Sequence, residues 1–99
     1  MELHSKDIIL DISVNLARVS DWILDEKKQR RVEQFLQETR EFIAQLSKNN
    51  VSKRFYPTLT DFKKQFSQLW TDRHQKDKEE WAERALTWAN ILQHRAKLA

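Results

Sequence analysis

The chain has 99 residues, no cysteine, no glycine, a single proline and a formal net charge of +3. A chain of this length can bury one core without metal or disulfide support, so we expect a single domain over residues 1–99. The absence of cysteine excludes disulfide scaffolds, thiolate zinc sites and cysteine nucleophiles, and it favours a cytoplasmic location. The longest apolar runs are far shorter than the roughly 20 residues that span a bilayer, so no membrane span is expected.

Without glycine the tight turns of β-hairpins are hard to build, whereas good helix formers fill the chain. A first helix is predicted over roughly residues 5–20, with Ser5 as its cap. A second is predicted over roughly 24–47, with Asn49 or Asn50 closing it in a left-handed conformation. The apolar residues at helical spacing are Ile9, Ile12, Leu16, Val19 and Ile23 in the first, and Val32, Leu36, Ile43 and Leu46 in the second.

The junction between these two helices gives conflicting signals. Ser20 could cap a new helix, which favours a turn near residues 20–25, but no strong helix breaker lies there. A single kinked helix is the alternative. We favour the turn, because one helix from Ser5 to Ser47 would be over sixty ångströms long at roughly 1.5 Å per residue.

Two more helices are predicted over roughly residues 59–71 and 77–97. Thr58 with Asp61 resembles a capping box, and Asp77 stands before the carboxylates Glu79 and Glu80. Four amphipathic helices with two short connections and one longer one are typical of a small antiparallel four-helix bundle, so the fold class is predicted to be all-α.

The four tryptophans divide into two predicted groups. Trp81 and Trp88 lie one heptad apart beside alanines and are assigned to the core, which predicts that Trp88→Ala destabilises the fold by roughly 3 to 5 kcal/mol. Trp22 and Trp70 fall near helix ends, where an exposed indole would suit a partner protein.

Residues 48–62 contain two adjacent cations and two adjacent aromatic rings. Lys53, Arg54, Phe55 and Tyr56 combine charge with stacking faces, as single-stranded nucleic acid sites do. The alternative is a connection in which Phe55 and Tyr56 close the end of the bundle. We favour the connection, and we count Phe55 and Tyr56 with Trp22 and Trp70 as candidate partner-binding residues.

A dense positive run, Lys27, Lys28, Arg30 and Arg31, opens the second helix. It is interpreted as a solvated face. Together with Lys53 and Arg54 it forms the alternative hypothesis, an electrostatic nucleic acid surface.

No catalytic constellation emerges from the sequence. No two histidines stand at i,i+4, no Glu-x-x-His motif occurs and no glycine-rich loop is available. Asp72, His74 and Asp77 could gather at a junction, but a solvated histidine is the favoured interpretation. We therefore expect no catalytic, cofactor or metal site. The expected function is a non-enzymatic protein–protein interaction module, as an adaptor, regulatory or assembly subunit, whose partner is another protein or a second copy in a homodimer.

Changing Lys27, Lys28 and Arg31 to glutamine separates the two function classes. If the run is a solvated face, stability stays nearly unchanged, because three cations leave the positive end of a helix dipole. If it binds duplex DNA, the slope of log affinity against log salt flattens by roughly 0.9 for each phosphate that the variant no longer neutralises. We expect no submicromolar oligonucleotide binding; such binding, abolished in the folded triple variant, would favour the nucleic acid hypothesis.

Overall fold

The computed structural model describes residues 5–47 and 50–99, and within those ranges the chain is helical with no strand. The predicted all-α four-helix architecture is confirmed. Four α-helices are joined by two short connections and a longer one between residues 44 and 56, and single 3₁₀ turns cover Glu26–Lys28 and Ala96–Leu98. The helices are α1 (Ser5–Trp22), α2 (Gln29–Ala44), α3 (Tyr56–Thr71) and α4 (Lys78–Arg95).

Each helix runs antiparallel to the next one, and α4 returns to lie beside α1. The contacts between neighbours pair rising residue numbers on one helix with falling numbers on the other. They are Trp22–Phe35 and Asn15–Glu38, Arg40–Trp70 and Glu33–Arg73, Leu69–Trp81 and Thr58–Arg95, and Ser13–Ala89 and Ser20–Ala82. The α1/α4 and α2/α3 interfaces therefore lie on opposite sides of the bundle.

Small side chains form the inner contact between α1 and α4, which we call the α1/α4 seam. Ala82, Ala85 and Ala89 are buried there. The hydroxyl of Ser13 donates to the Ala89 carbonyl at 2.7 Å, and that of Ser20 donates to the Ala82 carbonyl at 2.8 Å. Because alanine carries only a methyl group, the two helices can approach closely, and both buried hydroxyls find acceptors.

Aromatic side chains fill the core on the α3 side. Trp81 is fully buried, and its Nε1–H donates to the Leu69 carbonyl at 2.9 Å. That carbonyl belongs to the last turn of α3, where intrahelical donors run out, so the indole supplies a capping hydrogen bond as well as volume. Trp88 packs against Phe62 with ring centroids 5.4 Å apart but remains partly exposed. The core assignment of Trp81 is confirmed, and that of Trp88 is only partly correct.

The first two helices are separate, as predicted, but Ser20 does not begin the second. Helix α1 continues to Trp22, because the Ser20 hydroxyl bonds to α4 and leaves the local backbone helical. Asp25 accepts from the Lys27 amide at 2.9 Å and caps the 3₁₀ turn that leads into α2.

Helix α2 ends at Ala44, three residues before the predicted end. Asn50 holds the chain that follows: its Oδ1 accepts from the Ser47 amide at 2.8 Å and its Nδ2 donates to the Gln45 carbonyl at 2.6 Å. No described residue has the left-handed conformation expected of the asparagine cap. Lys48 and Asn49 lie outside the described residues.

Helix α3 begins at Tyr56 rather than at Leu59, so the predicted capping role of Thr58 is wrong. Pro57 lies in the first turn, where its fixed φ and missing N–H suit a helix start. Ser52 Oγ accepts from the Phe55 amide, and Thr58 is buried and accepts from Arg95 Nη1 at 3.0 Å. The predicted cap of α4 is confirmed, since Asp77 accepts from the Glu80 amide.

Truncating the two core tryptophans should have unequal effects. Trp81→Ala removes a fully buried ring and its hydrogen bond, so we expect a loss of roughly 3 to 5 kcal/mol in the free energy of unfolding. Trp88→Ala should lose about half as much, because part of that ring is already in water. Equilibrium urea unfolding of both variants measures the difference, and equal losses would show that Trp88 is buried in solution.

Candidate interaction surfaces

Two exposed leucines border one groove between α1 and α4. Among the described residues the exposed large apolar side chains are Val14 (47%), Leu24 (54%), Tyr56 (41%) and Leu86 (44%). Leu24 and Leu86 line a surface groove of about 430 Å³ between α1 and α4. Val14 lies one turn before Ala17 on the same face of α1. We call this the α1/α4 groove, and its lining consists of Ala17, Ser20, Asp21, Leu24, Glu79, Ala82, Glu83 and Leu86.

The α1/α4 groove is apolar with a negative rim. Its lining includes the carboxylates of Asp21, Glu79 and Glu83 and no lysine or arginine. Of the seam alanines, Ala82 lies in the groove lining, where the Ser20 hydroxyl is already bonded to the Ala82 carbonyl. Such a surface suits a ligand that combines apolar side chains with positive charge.

A second concave surface, the α2/α3 cleft, lies on the opposite side of the bundle. It has a volume of about 500 Å³, with apolar walls and a rim that carries the cations Arg40 and Lys63. Its lining consists of Arg40, Ile43, Ala44, Lys63, Phe66, Ser67, Trp70 and Thr71. The two concave surfaces are therefore opposite in charge as well as in position.

Two guanidinium groups pack on the indole of Trp70. The Cζ atoms of Arg40 and Arg73 lie 4.4 Å and 4.3 Å from its centroid. Arg73 is fixed further, because its Nε donates to Glu33 at 3.1 Å and its Nη1 donates to the Trp70 carbonyl at 2.7 Å. Trp70 is therefore partly buried under cations rather than presented as a bare indole.

Trp22 is also covered by its neighbours. It meets Phe35 edge to face at 5.0 Å, and Lys28 and Arg31 approach its ring at 5.9 Å. Both indoles that the sequence assigned to a partner surface are therefore partly covered by side chains of the same molecule.

The two aromatic residues of the α2–α3 connection have different environments. Phe55 is 0% exposed, so its assignment as a partner-binding residue is wrong: it closes the end of the core. Tyr56 is exposed, but it begins α3 whereas Trp70 lies near its end. A helix of 16 residues is about 24 Å long, so Tyr56 and Trp70 do not share one surface.

The predicted nucleic acid residues are divided between the two ends of the bundle. Lys27, Lys28, Arg30 and Arg31 surround the start of α2, whereas Lys53 and Arg54 follow its end and are exposed there. The intervening helix has 16 residues and is about 24 Å long. The structure therefore does not join the two groups into one patch.

The polar residues at the α3–α4 junction are used in local contacts. Asp72 pairs with Arg84 at 3.2 Å, His74 lies 3.4 Å from Glu33, and Asp77 caps α4. Within residues 5–47 and 50–99 no three potential ligands are grouped to hold a metal ion. None of the helices described there has the length and apolar character to cross a bilayer.

Sequence reasoning missed both concave surfaces. A usable signal was present in and just after α1, where Leu10, Val14, Ala17 and Leu24 recur at helical spacing beside the core stripe. A row in excess of what the core needs indicates a second apolar face. The α2/α3 cleft had no such signal, because Arg40 and Lys63 are far apart in sequence.

Comparison of the chain with protein-family models, with curated proteins and with solved structures finds no match.

The packing on Trp22 revises the expected effect of removing the basic run. Lys28 and Arg31 contact the ring, and exposed cation–π contacts contribute roughly 0.5 to 1 kcal/mol each. We expect Lys28→Gln with Arg31→Gln to lose up to about 1 to 2 kcal/mol, whereas Lys27→Gln with Arg30→Gln should stay within about 0.5 kcal/mol. Urea unfolding of the two matched double variants measures this, and identical stabilities would show that the cations do not stay on the ring in solution.

Proposed function

We propose that this protein is a non-enzymatic interaction module, acting in the cytoplasm as an adaptor, regulatory or assembly subunit. Its α1/α4 groove would bind an amphipathic helix with basic flanks from another protein. The observation that carries this proposal is the clustering of Leu24 and Leu86 around one groove with a carboxylate rim, while the core beneath is already filled.

The energetic argument starts from the exposed leucines. Leu24 and Leu86 are about half exposed, and burying apolar surface yields about 25 cal/mol per Å². A partner helix can place apolar residues between them at i, i+3 and i+4 spacing. Lysine or arginine on its flanks would meet Asp21, Glu79 and Glu83, which favours the correct orientation and excludes acidic competitors.

Other surfaces offer less to a protein partner. Trp22 and Trp70 are already covered by cations, and Tyr56 is isolated from the other exposed apolar side chains. A second copy of the chain is the alternative occupant of the groove. A homodimer of that kind would appear in sedimentation velocity as a concentration-dependent increase in mass that Leu86→Gln removes.

The second candidate function is electrostatic nucleic acid binding. It is supported by the exposed side chains of Lys27 and Arg30 at one end of the bundle and of Lys53 and Arg54 at the other. The separation of these groups limits how many phosphates one contiguous surface could neutralise. This function predicts a steep loss of affinity with salt, which apolar docking does not.

A capture experiment from native extract distinguishes the surfaces. The wild-type chain and Tyr56→Gln should retain the same protein, whereas Leu86→Gln should lose it, because only Leu86 lies in the α1/α4 groove. Leu86 and Tyr56 have similar exposure, 44% and 41%, so the two variants are matched. The captured protein should then bind the purified chain directly, with at least tenfold weaker affinity for Leu86→Gln by isothermal titration calorimetry.

The same experiment identifies the other outcomes. Loss of capture in Tyr56→Gln but not in Leu86→Gln would contradict binding in the α1/α4 groove. It would place the binding site at the start of α3 instead. Capture that disappears in high salt, after nuclease treatment, and in the Lys27, Lys28 and Arg31 triple variant would support nucleic acid binding instead.

A further inference from the structure

The α2/α3 cleft has the dimensions and lining of a small-molecule site. Its volume of about 500 Å³ falls within the roughly 300–1,000 Å³ of typical ligand pockets. Ile43, Phe66 and Trp70 provide an apolar and aromatic wall against which the body of a ligand could pack. This surface is distinct from the α1/α4 groove and lies on the other side of the bundle.

Arg40 lies at the edge of this wall. Its guanidinium packs on Trp70 at 4.4 Å, and among the described residues no carboxylate pairs with it. Stacking restrains the planar group while leaving its N–H donors at the edge of the plane. A guanidinium held in this way can bind a carboxylate or sulfonate through two parallel hydrogen bonds with little further loss of side-chain entropy.

Lys63 supplies a second cation from the opposite wall. Its Nζ donates to the Leu46 carbonyl at 3.0 Å, which holds the side chain along the cleft. An ammonium has three donors, so two remain for a ligand. The Ser67 hydroxyl lies in the same lining.

The charge of the cleft selects the class of ligand. Its lining carries two cations and no carboxylate, and the nearby Glu33 is paired with Arg73 at 3.1 Å. A neutral apolar molecule would form no ion pair with Arg40 or Lys63, and a compact inorganic anion would not cover the aromatic wall. From this combination we infer that the α2/α3 cleft binds a small organic anion with an apolar body, such as an aromatic carboxylate or sulfonate.

Two dyes of similar shape test the inference. 8-Anilinonaphthalene-1-sulfonate is an aromatic anion, and N-phenyl-1-naphthylamine is its neutral counterpart. In fluorescence titrations the anionic dye should bind the folded protein at one saturable site, and Arg40→Gln should raise its Kd at least tenfold. Lys63→Gln should raise it several-fold, whereas the Kd of the neutral dye should change less than twofold in both variants.

Matched controls locate the site. Arg18→Gln removes another arginine that packs on an aromatic ring, 5.9 Å from Phe35, but outside the cleft, so dye binding should not change. Leu86→Gln should also leave it unchanged, which separates this inference from the proposed function. Each variant should unfold cooperatively in urea, because loosely packed states bind the anionic dye without a specific site.

Three results would overturn the inference. They are an unchanged Kd in both Arg40→Gln and Lys63→Gln, equal sensitivity of the neutral dye to these changes, and loss of dye binding in Leu86→Gln. The last would assign the dye to the α1/α4 groove.

Discussion

The close contact of α1 with α4 is the constraint on which the rest of the structure depends. Alanines at positions 82, 85 and 89 let the helices approach, and the hydroxyls of Ser13 and Ser20 bond across the contact to α4 carbonyls. A larger residue at any of these alanines would force the helices apart and leave those buried hydroxyls without acceptors, which costs about 1 to 3 kcal/mol for each group. The small volume of the alanines and the two serine hydrogen bonds therefore both hold α1 close to α4.

Helices α1 and α4 pack closely on one side of the bundle, whereas α2 and α3 pack less closely on the other. The large buried side chains Phe62, Phe66 and Trp81 lie on α3 and α4, and the backbones of α2 and α3 approach each other closely at fewer points than those of the other neighbouring helices. The gap is closed at its edges by polar and aromatic contacts, such as Glu33 with Arg73 and Arg40 over Trp70. The α2/α3 cleft is thus a consequence of where the small and large residues are placed.

The two concave surfaces carry opposite charges, so the occupants proposed for them differ in chemistry. Carboxylates line the α1/α4 groove, whereas Arg40 and Lys63 line the α2/α3 cleft. A net charge of +3 conceals this division, because charges of both signs are nearly balanced over the whole chain. An occupant of one surface need not compete with an occupant of the other, since the bundle core lies between them.

The sequence by itself determined the helical class, the number of helices and most of the core. Helical periodicity and caps such as Asp77 depend on residues only a few positions apart, so both can be recognised in the sequence. The sequence predicted some helix ends wrongly. Ser20 and Thr58 were expected to cap helices, but their side chains form hydrogen bonds with α4 instead. The surfaces were decided only by the tertiary structure. Which apolar residues stay exposed depends on how closely α1 and α4 pack, and Arg40 reaches Trp70 only because α2 and α3 are neighbours. Those distances are set by volumes summed over several helices, which no local pattern contains.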